Sequence, residues 1–268
     1  MVRLVGLLTA VTLLMSNSAL TQLTDKAGEF DESKVSSGTV GTRYVPKVET
    51  RTKTRVQNSG DKYDYDLFGR DEFEYFPLQL GNGEYKITIF ENITGNRYRQ
   101  VRQKSIKAEL KDDFSVFTAS IQNVRWNKDM AAIKKANELC RNLTTDQQKI
   151  EAIYGYVIDT LSYDYDKIKT INSTYVPDIE QVVKDKKGIC YDYSALFAAM
   201  LRSQNIPTKL LKGYSDNVKE YHAWNEVYIA QEERWMVVDT TYDSVMKKNK
   251  KAYKMEKDGD QYQANRVY

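Results

Sequence analysis

The stretch from Lys187 to Thr241 constrains the fold more than any other part of this chain. It opens with Lys187-Gly188-Ile189-Cys190. Tyr193 to Ser203 then reads as a helix, with Ala195, Leu196, Ala199 and Met200 on its buried side. Ile206-Pro207 ends that helix. Three strand-length segments follow, 208–214, 223–230 and 234–240, and the polar turn Gln231-Glu232-Glu233 joins the last two. A buried helix leading into adjacent antiparallel strands predicts an α+β architecture.

Upstream, Ala132, Ala136, Leu139 and Cys140 share one face of a helix that starts near Lys128. Thr144-Thr145-Asp146 can cap a second helix, from about Gln147 to Leu161, whose apolar stripe is Ile150, Ile153, Tyr154, Val157, Ile158 and Leu161. Val176-Pro177 breaks the chain before a short helix around 179–184. These helices and the Lys187–Thr241 stretch form one expected unit, 119–268. Before it, Tyr85 to Phe90 alternates, and Asn82-Gly83 and Gly95-Asn96 supply turns. Further short strands are expected around Tyr98, Val101, Ile106, Ala108, Leu110, Phe114 and Val116, which makes 61–118 a small β-rich domain. Residues 20–60 are polar, without hydrophobic periodicity, and read as a flexible tether. Met1-Val2-Arg3, the apolar run Leu4 to Met15 and the small residues Ser16 to Ala19 have the three-part form of a secretory signal peptide, 1–19. The apolar run is too short to span a bilayer, and no later segment could, so no stable membrane span is expected.

The 40 basic and 37 acidic residues leave a net charge of only +3, with the two signs interspersed. That argues against nucleic acid as the main partner. The one basic run, Lys247-Lys248-Asn249-Lys250-Lys251, reads as a solvated loop.

The chain has a single histidine, His222, at the start of a strand candidate in Tyr221-His222-Ala223-Trp224-Asn225-Glu226. Cys190 precedes the buried helix. Gly188 allows a tight turn into it, where a side chain would crowd the site. The first turn of a helix offers unpaired N–H groups and partial positive charge, which favour a reactive thiolate and can bind an oxyanion. Asp239 follows the apolar run Trp235-Met236-Val237-Val238, and a carboxylate placed there needs a partner. Nucleophile, base and orienting acid are therefore expected at Cys190, His222 and Asp239. The plainer alternatives are a buried structural cysteine, a surface hairpin histidine, and Asp239 as an ordinary strand-end cap to Thr240 or Thr241. The two cysteines, Cys140 and Cys190, are expected to be free, with Cys140 packing as a small hydrophobe. Trp224 and Trp235 are expected to be structural.

Several phrases, in this order, resemble the transglutaminase-like superfamily, a branch of the papain-like cysteine enzymes. They are Gly188, Cys190, Asp192, Tyr193 and Ser194; Leu201-Arg202-Ser203-Gln204-Asn205-Ile206-Pro207; Gly213-Tyr214; His222-Ala223-Trp224-Asn225-Glu226-Val227; and Trp235, Val238, Asp239, Thr240 and Thr241. Leu161-Ser162-Tyr163-Asp164-Tyr165 is similar to the segment that precedes the family core. The resemblance covers about 147–242. It implies a helix carrying Cys190 packed on an antiparallel sheet carrying His222 and Asp239, in the roles just given. No cofactor and no metal are implied, and no calcium loop of EF-hand type is present. No residue is identified as the papain-type glutamine that completes an oxyanion hole. The activity implied is exported cysteine-dependent acyl transfer through a thioester, on an amide of a peptide, a protein or a peptidoglycan stem peptide. Cross-linking, deamidation and proteolysis share these motifs. The competing readings are a non-catalytic peptide- or glycan-binding module on the same fold, and a β-rich adhesive domain with the core as accessory.

Overall fold

A computed structural model describes residues 28–69 and 71–268. The expected signal peptide lies outside the described residues. The first half of the described chain is two antiparallel sheets. β1 (Phe30–Asp31), β2 (Thr39–Thr42) and β5 (Glu74–Pro77) form one; β4 (Asp61–Leu67), β3 (Thr52–Asn58), β6 (Gly83–Thr94) and β7 (Arg97–Ala108) form the other, in that order. Their inner faces share one core that includes Phe30, Val40, Val56, Tyr65, Phe76, Ile87 and Ile89.

This corrects two expectations. The polar tether does not extend to residue 60: β1, β2 and β3 occupy that span. The inward positions of β3 are Thr52, Thr54, Val56 and Asn58, and the outward ones Lys53, Arg55 and Gln57. Alternation of polar with polar carries no hydropathy signal. The buried hydroxyls are satisfied locally, Thr42 Oγ1 with Thr54 Oγ1 at 2.7 Å and Thr52 Oγ1 donating to the Leu67 carbonyl at 2.9 Å. The β-rich unit therefore begins near Phe30, not at residue 61. The expected short strands around 98–108 are one long strand, β7, and Phe114 and Val116 lie beyond it, Val116 in the 3₁₀ turn Ser115–Phe117.

The second half holds α1 (Ala131–Cys140), α2 (Asp146–Thr160), the single turn α3 (Lys167–Thr170), α4 (Ile179–Asp185), α5 (Cys190–Ser203) and α6 (Thr240–Lys248). Thr145 caps α2 through a capping box with Gln148. β8 (Ser162–Tyr163) and β9 (Lys187–Gly188) pair in parallel just before α5. The main sheet runs β13-β12-β11-β10-β14, from β10 (Thr208–Ser215), β11 (Val218–Ile229), β12 (Arg234–Val238), β13 (Glu256–Lys257) and β14 (Tyr262–Val267). No helix among the described residues is long and apolar enough to cross a membrane.

α5 is the centre of this half. From Ala195 to Leu201 every residue is fully buried, because α1, α2, α4 and the sheet enclose the helix on all sides. Its one buried cation, Arg202, has its guanidinium shared among three carbonyls, those of Thr208, Ala119 and Tyr268, each at 2.9 Å. Burial pushes this guanidinium down to about 9. Arg202 thereby ties the end of α5 to the sheet and to the segment entering from the β-rich half. The basic run is not a free loop throughout. Lys247 and Lys248 close α6, where Lys247 pairs with Asp159 and Lys248 donates to Ser162 Oγ at 2.7 Å.

Candidate active site

Cys190 is the first residue of α5, and Ile189 before it is the N-cap. The helix start is fixed by Asp192, whose Oδ2 accepts the Ile189 N–H at 2.9 Å. That fully buried carboxylate also takes the Lys167 ammonium at 2.7 Å and the Tyr175 hydroxyl, so it anchors the 164–176 segment beside the helix start. Gly188 is required by this packing, because a Cβ there would stand 2.6 Å from Cβ of Asp192. The crowding expected from the sequence therefore comes from Asp192.

His222 lies on β11 opposite Gly213 of β10. Asp239 directly follows β12 and is the N-cap of α6: its Oδ1 accepts the Tyr242 N–H at 2.9 Å. Its Oδ2 lies 2.8 Å from His222 Nε2. The cap and the partner to histidine, alternatives in the sequence, are two oxygens of one carboxylate. The Cys190 thiol lines the same groove as the imidazole and is among the groups that raise its proton affinity. The structure thus brings Cys190, His222 and Asp239 together at one site. Burial alone would lower the imidazole's affinity for protons. The Asp239 charge and hydrogen bond, together with the Cys190 contact, outweigh it and raise His222 from 6.5 to about 10.

Two further residues hold the helix and strand together, and neither announces itself in the sequence. Asn225 is fully buried on β11, and its amide donates to the carbonyls of Ser194 on α5 at 3.1 Å and Lys209 on β10 at 3.0 Å. Tyr262 on β14 donates its hydroxyl to Asp239 Oδ2 at 3.1 Å. Trp224 is buried with its ring against His222 on one side, centroids 6.4 Å apart, and Tyr262 on the other, 5.1 Å. Trp235 sits elsewhere, half-buried among Phe114, Phe117 and Tyr228 with the Lys209 ammonium 3.8 Å over its ring.

Cys190 and His222 open into a groove of about 450 Å³. Its walls are mostly apolar and aromatic, among them Tyr165, Ile168, Tyr221, Tyr242 and Met246. Among the described residues no glutamine lines it, and Asn217 is its only side-chain amide. A larger depression, about 830 Å³, runs from Tyr44 to Phe68 and Thr174, but it contains neither cysteine nor histidine. Chemistry rather than size singles out the smaller one. Both cysteines are free, and Cys140 packs in the core between α1 and its neighbours.

Residues 133–240 match the family model of the transglutaminase-like superfamily. That segment of the chain is similar to the superfamily, and the described helices and sheets make an α+β fold of the kind the match implies. UPF0252 protein MJ1282 of Methanocaldococcus jannaschii is 27% identical over 182 residues, covering 60% of this chain and 51% of its own. The chain thus spans about half the length of that curated relative. Among solved structures, a proposed cysteine protease from Cytophaga hutchinsonii is 15% identical, with TM-score 0.43 over 74% of this chain and 68% of its own. The ethylmercury-bound periplasmic domain of TgpA from Pseudomonas aeruginosa is 14% identical, with TM-score 0.39 over 84% of this chain and 99% of its own.

Proposed function

We propose that this protein is an exported cysteine enzyme that transfers acyl groups from an amide of a peptide, a protein or a cell-wall peptide. The observation that carries the reading is that Asp239 Oδ2 lies 2.8 Å from the His222 imidazole, while His222 and Cys190 line the same groove. The Cys190 sulfur attacks the amide carbonyl carbon while His222 holds the thiol proton. The carbonyl oxygen, now negative, faces the free N–H groups of the first turn of α5. The C–N bond breaks, His222 gives the proton to the leaving nitrogen, and a thioester forms on Cys190. Water or an amine then attacks the thioester, His222 accepts its proton, and the acyl group leaves as a carboxylic acid or a new amide. The proton returns to the sulfur. Asp239 keeps the imidazole in the tautomer and orientation these steps need.

The apolar walls of the groove favour a substrate that presents an apolar or aromatic side chain next to the reacting amide. Export is carried by the basic start, apolar run and small-residue site of residues 1–19, and an intact mass lacking those residues supports it. The activity is tested by comparing wild type with Cys190→Ala on glutamine peptides with amine donors, on peptide substrates and on peptidoglycan fragments. Product formation by wild type alone supports the reading. Equal product from both proteins, or none from either on any substrate class, removes it.

A further inference from the structure

We propose that Tyr262 is a fourth member of the site, a positioning residue that acts on His222 through Asp239. The proposal rests on the acyl-transfer reading for its purpose, though its geometry stands apart from it. Tyr262 lies on β14, outside the 133–240 family segment, so nothing in the family match assigns it a role.

Three observations carry it. First, the Tyr262 hydroxyl lies 3.1 Å from the same oxygen, Asp239 Oδ2, that binds His222 Nε2 at 2.8 Å. Second, the direction of that bond is set: Asn217 Nδ2 donates to the Tyr262 hydroxyl at 3.4 Å, so the hydroxyl proton is left for Asp239. Asn217 lines the groove, which makes a continuous run of polar contacts from the groove rim through Tyr262 and Asp239 to the imidazole. Third, the backbone is shaped to deliver it. Gly213 pairs with His222 on one side and with Ala264 on the other, and a Cβ at Gly213 would stand 2.0 Å from the Gln263 carbonyl. Only a residue without a side chain lets β14 approach this closely and bring Tyr262 to Asp239. The Tyr262 ring also packs on Trp224, which packs on His222.

Two donors on one carboxylate oxygen share its negative charge, so each bond is weaker than it would be alone. Tyr262 therefore moderates the pull of Asp239 on the imidazole. An imidazole held too tightly protonated is a poor acid toward a leaving amine, and moderation suits a group that must both take and give a proton. The other ionisable groups near this cluster include Tyr163 on β8, Lys212 on β10, Asp243 on α6 with its partners Tyr154 and Lys257, and the groove-lining Tyr165, Lys219, Glu220, Tyr221 and Tyr242. None of them bonds Asp239 Oδ2 in place of Tyr262.

The test uses the lone histidine, whose ring protons need no assignment by mutagenesis. In Tyr262→Phe, which keeps the ring on Trp224, the NMR titration midpoint of His222 should rise by about 0.5 on the pH scale. The Nε2–H resonance should move downfield. Asn217→Ala should shift both the same way by less, and it serves if Tyr262→Phe does not fold. A Tyr262→Phe protein that melts lower but leaves both signals in place marks Tyr262 as structural and overturns the proposal. So does Asn217→Ala without any shift when the tyrosine variant is unfolded. A wild-type His222 that is indifferent to Cys190→Ala removes the acyl-transfer reading instead, and leaves the Tyr262 contact to be judged by its own shift.

Discussion

Asp239 holds His222 from the cap of a helix: its Oδ2 lies 2.8 Å from the imidazole Nε2 while its Oδ1 accepts the N–H of Tyr242 at 2.9 Å. The helix start therefore fixes the carboxylate whether or not the imidazole is present. Rigid placement of the orienting group is built from backbone geometry.

Asp239→Asn should keep the fold, because asparagine caps a helix as well as aspartate does. It removes the charge that favours the protonated imidazole, and turnover should fall by ~10² to 10⁴, by analogy with other triads. Asp239→Ala should lose the same activity and about 1 kcal/mol of stability besides. Urea melts beside rate measurements separate the two effects. Unchanged turnover in Asp239→Asn would remove Asp239 from the mechanism.

The two thiols should differ in reactivity although both are buried. Cys190 lines the groove, whereas Cys140 packs in the core and burial pushes its thiol up. Iodoacetamide near neutral pH should label Cys190 faster than Cys140 by roughly 100-fold or more, as read by peptide mass mapping. Comparable labelling of both would contradict a poised thiol.

Stability should carry the signature of His222. Its proton affinity is raised from 6.5 to about 10 in the folded state. The resulting stabilisation is fully present below about 6.5 and is lost as pH rises through about 10. The urea midpoint of wild type should fall across that window more steeply than that of His222→Gln. Parallel curves for the two proteins would mean that the folded state leaves the imidazole unperturbed.

The two tryptophans should separate. Trp224 is 1% exposed, so Trp224→Ala should cost about 3 to 5 kcal/mol. Trp235 is half-buried in its aromatic cluster, and its truncation should cost less and leave the His222 titration in place. A Trp224→Ala protein with wild-type melting but no activity would place Trp224 in the groove rather than the core.

What the sequence shows of this molecule follows from where periodic burial is written. α2, α5, β10, β11 and β12 are legible because their apolar residues repeat at helical or strand spacing. Cys190, His222 and Asp239 are legible because each stands at the edge of such a run. β1 to β3 are not, because their inward positions include Thr42, Thr52, Thr54 and Asn58, whose burial is made possible by local hydrogen bonds. Tyr262 and Asn225 are not, because their partners are set by strand register between distant segments. Asp192 carries the same lesson: its hold on Lys167 and Tyr175 exists only in three dimensions.

The most direct test of the account is the pH titration of the single imidazole by NMR in wild type and Cys190→Ala. If Cys190, His222 and Asp239 act as one unit, wild-type His222 titrates far above 6.5, toward about 10, and its midpoint falls when the sulfur is removed. A wild-type midpoint near 6.5 that does not move in Cys190→Ala would contradict the central claim.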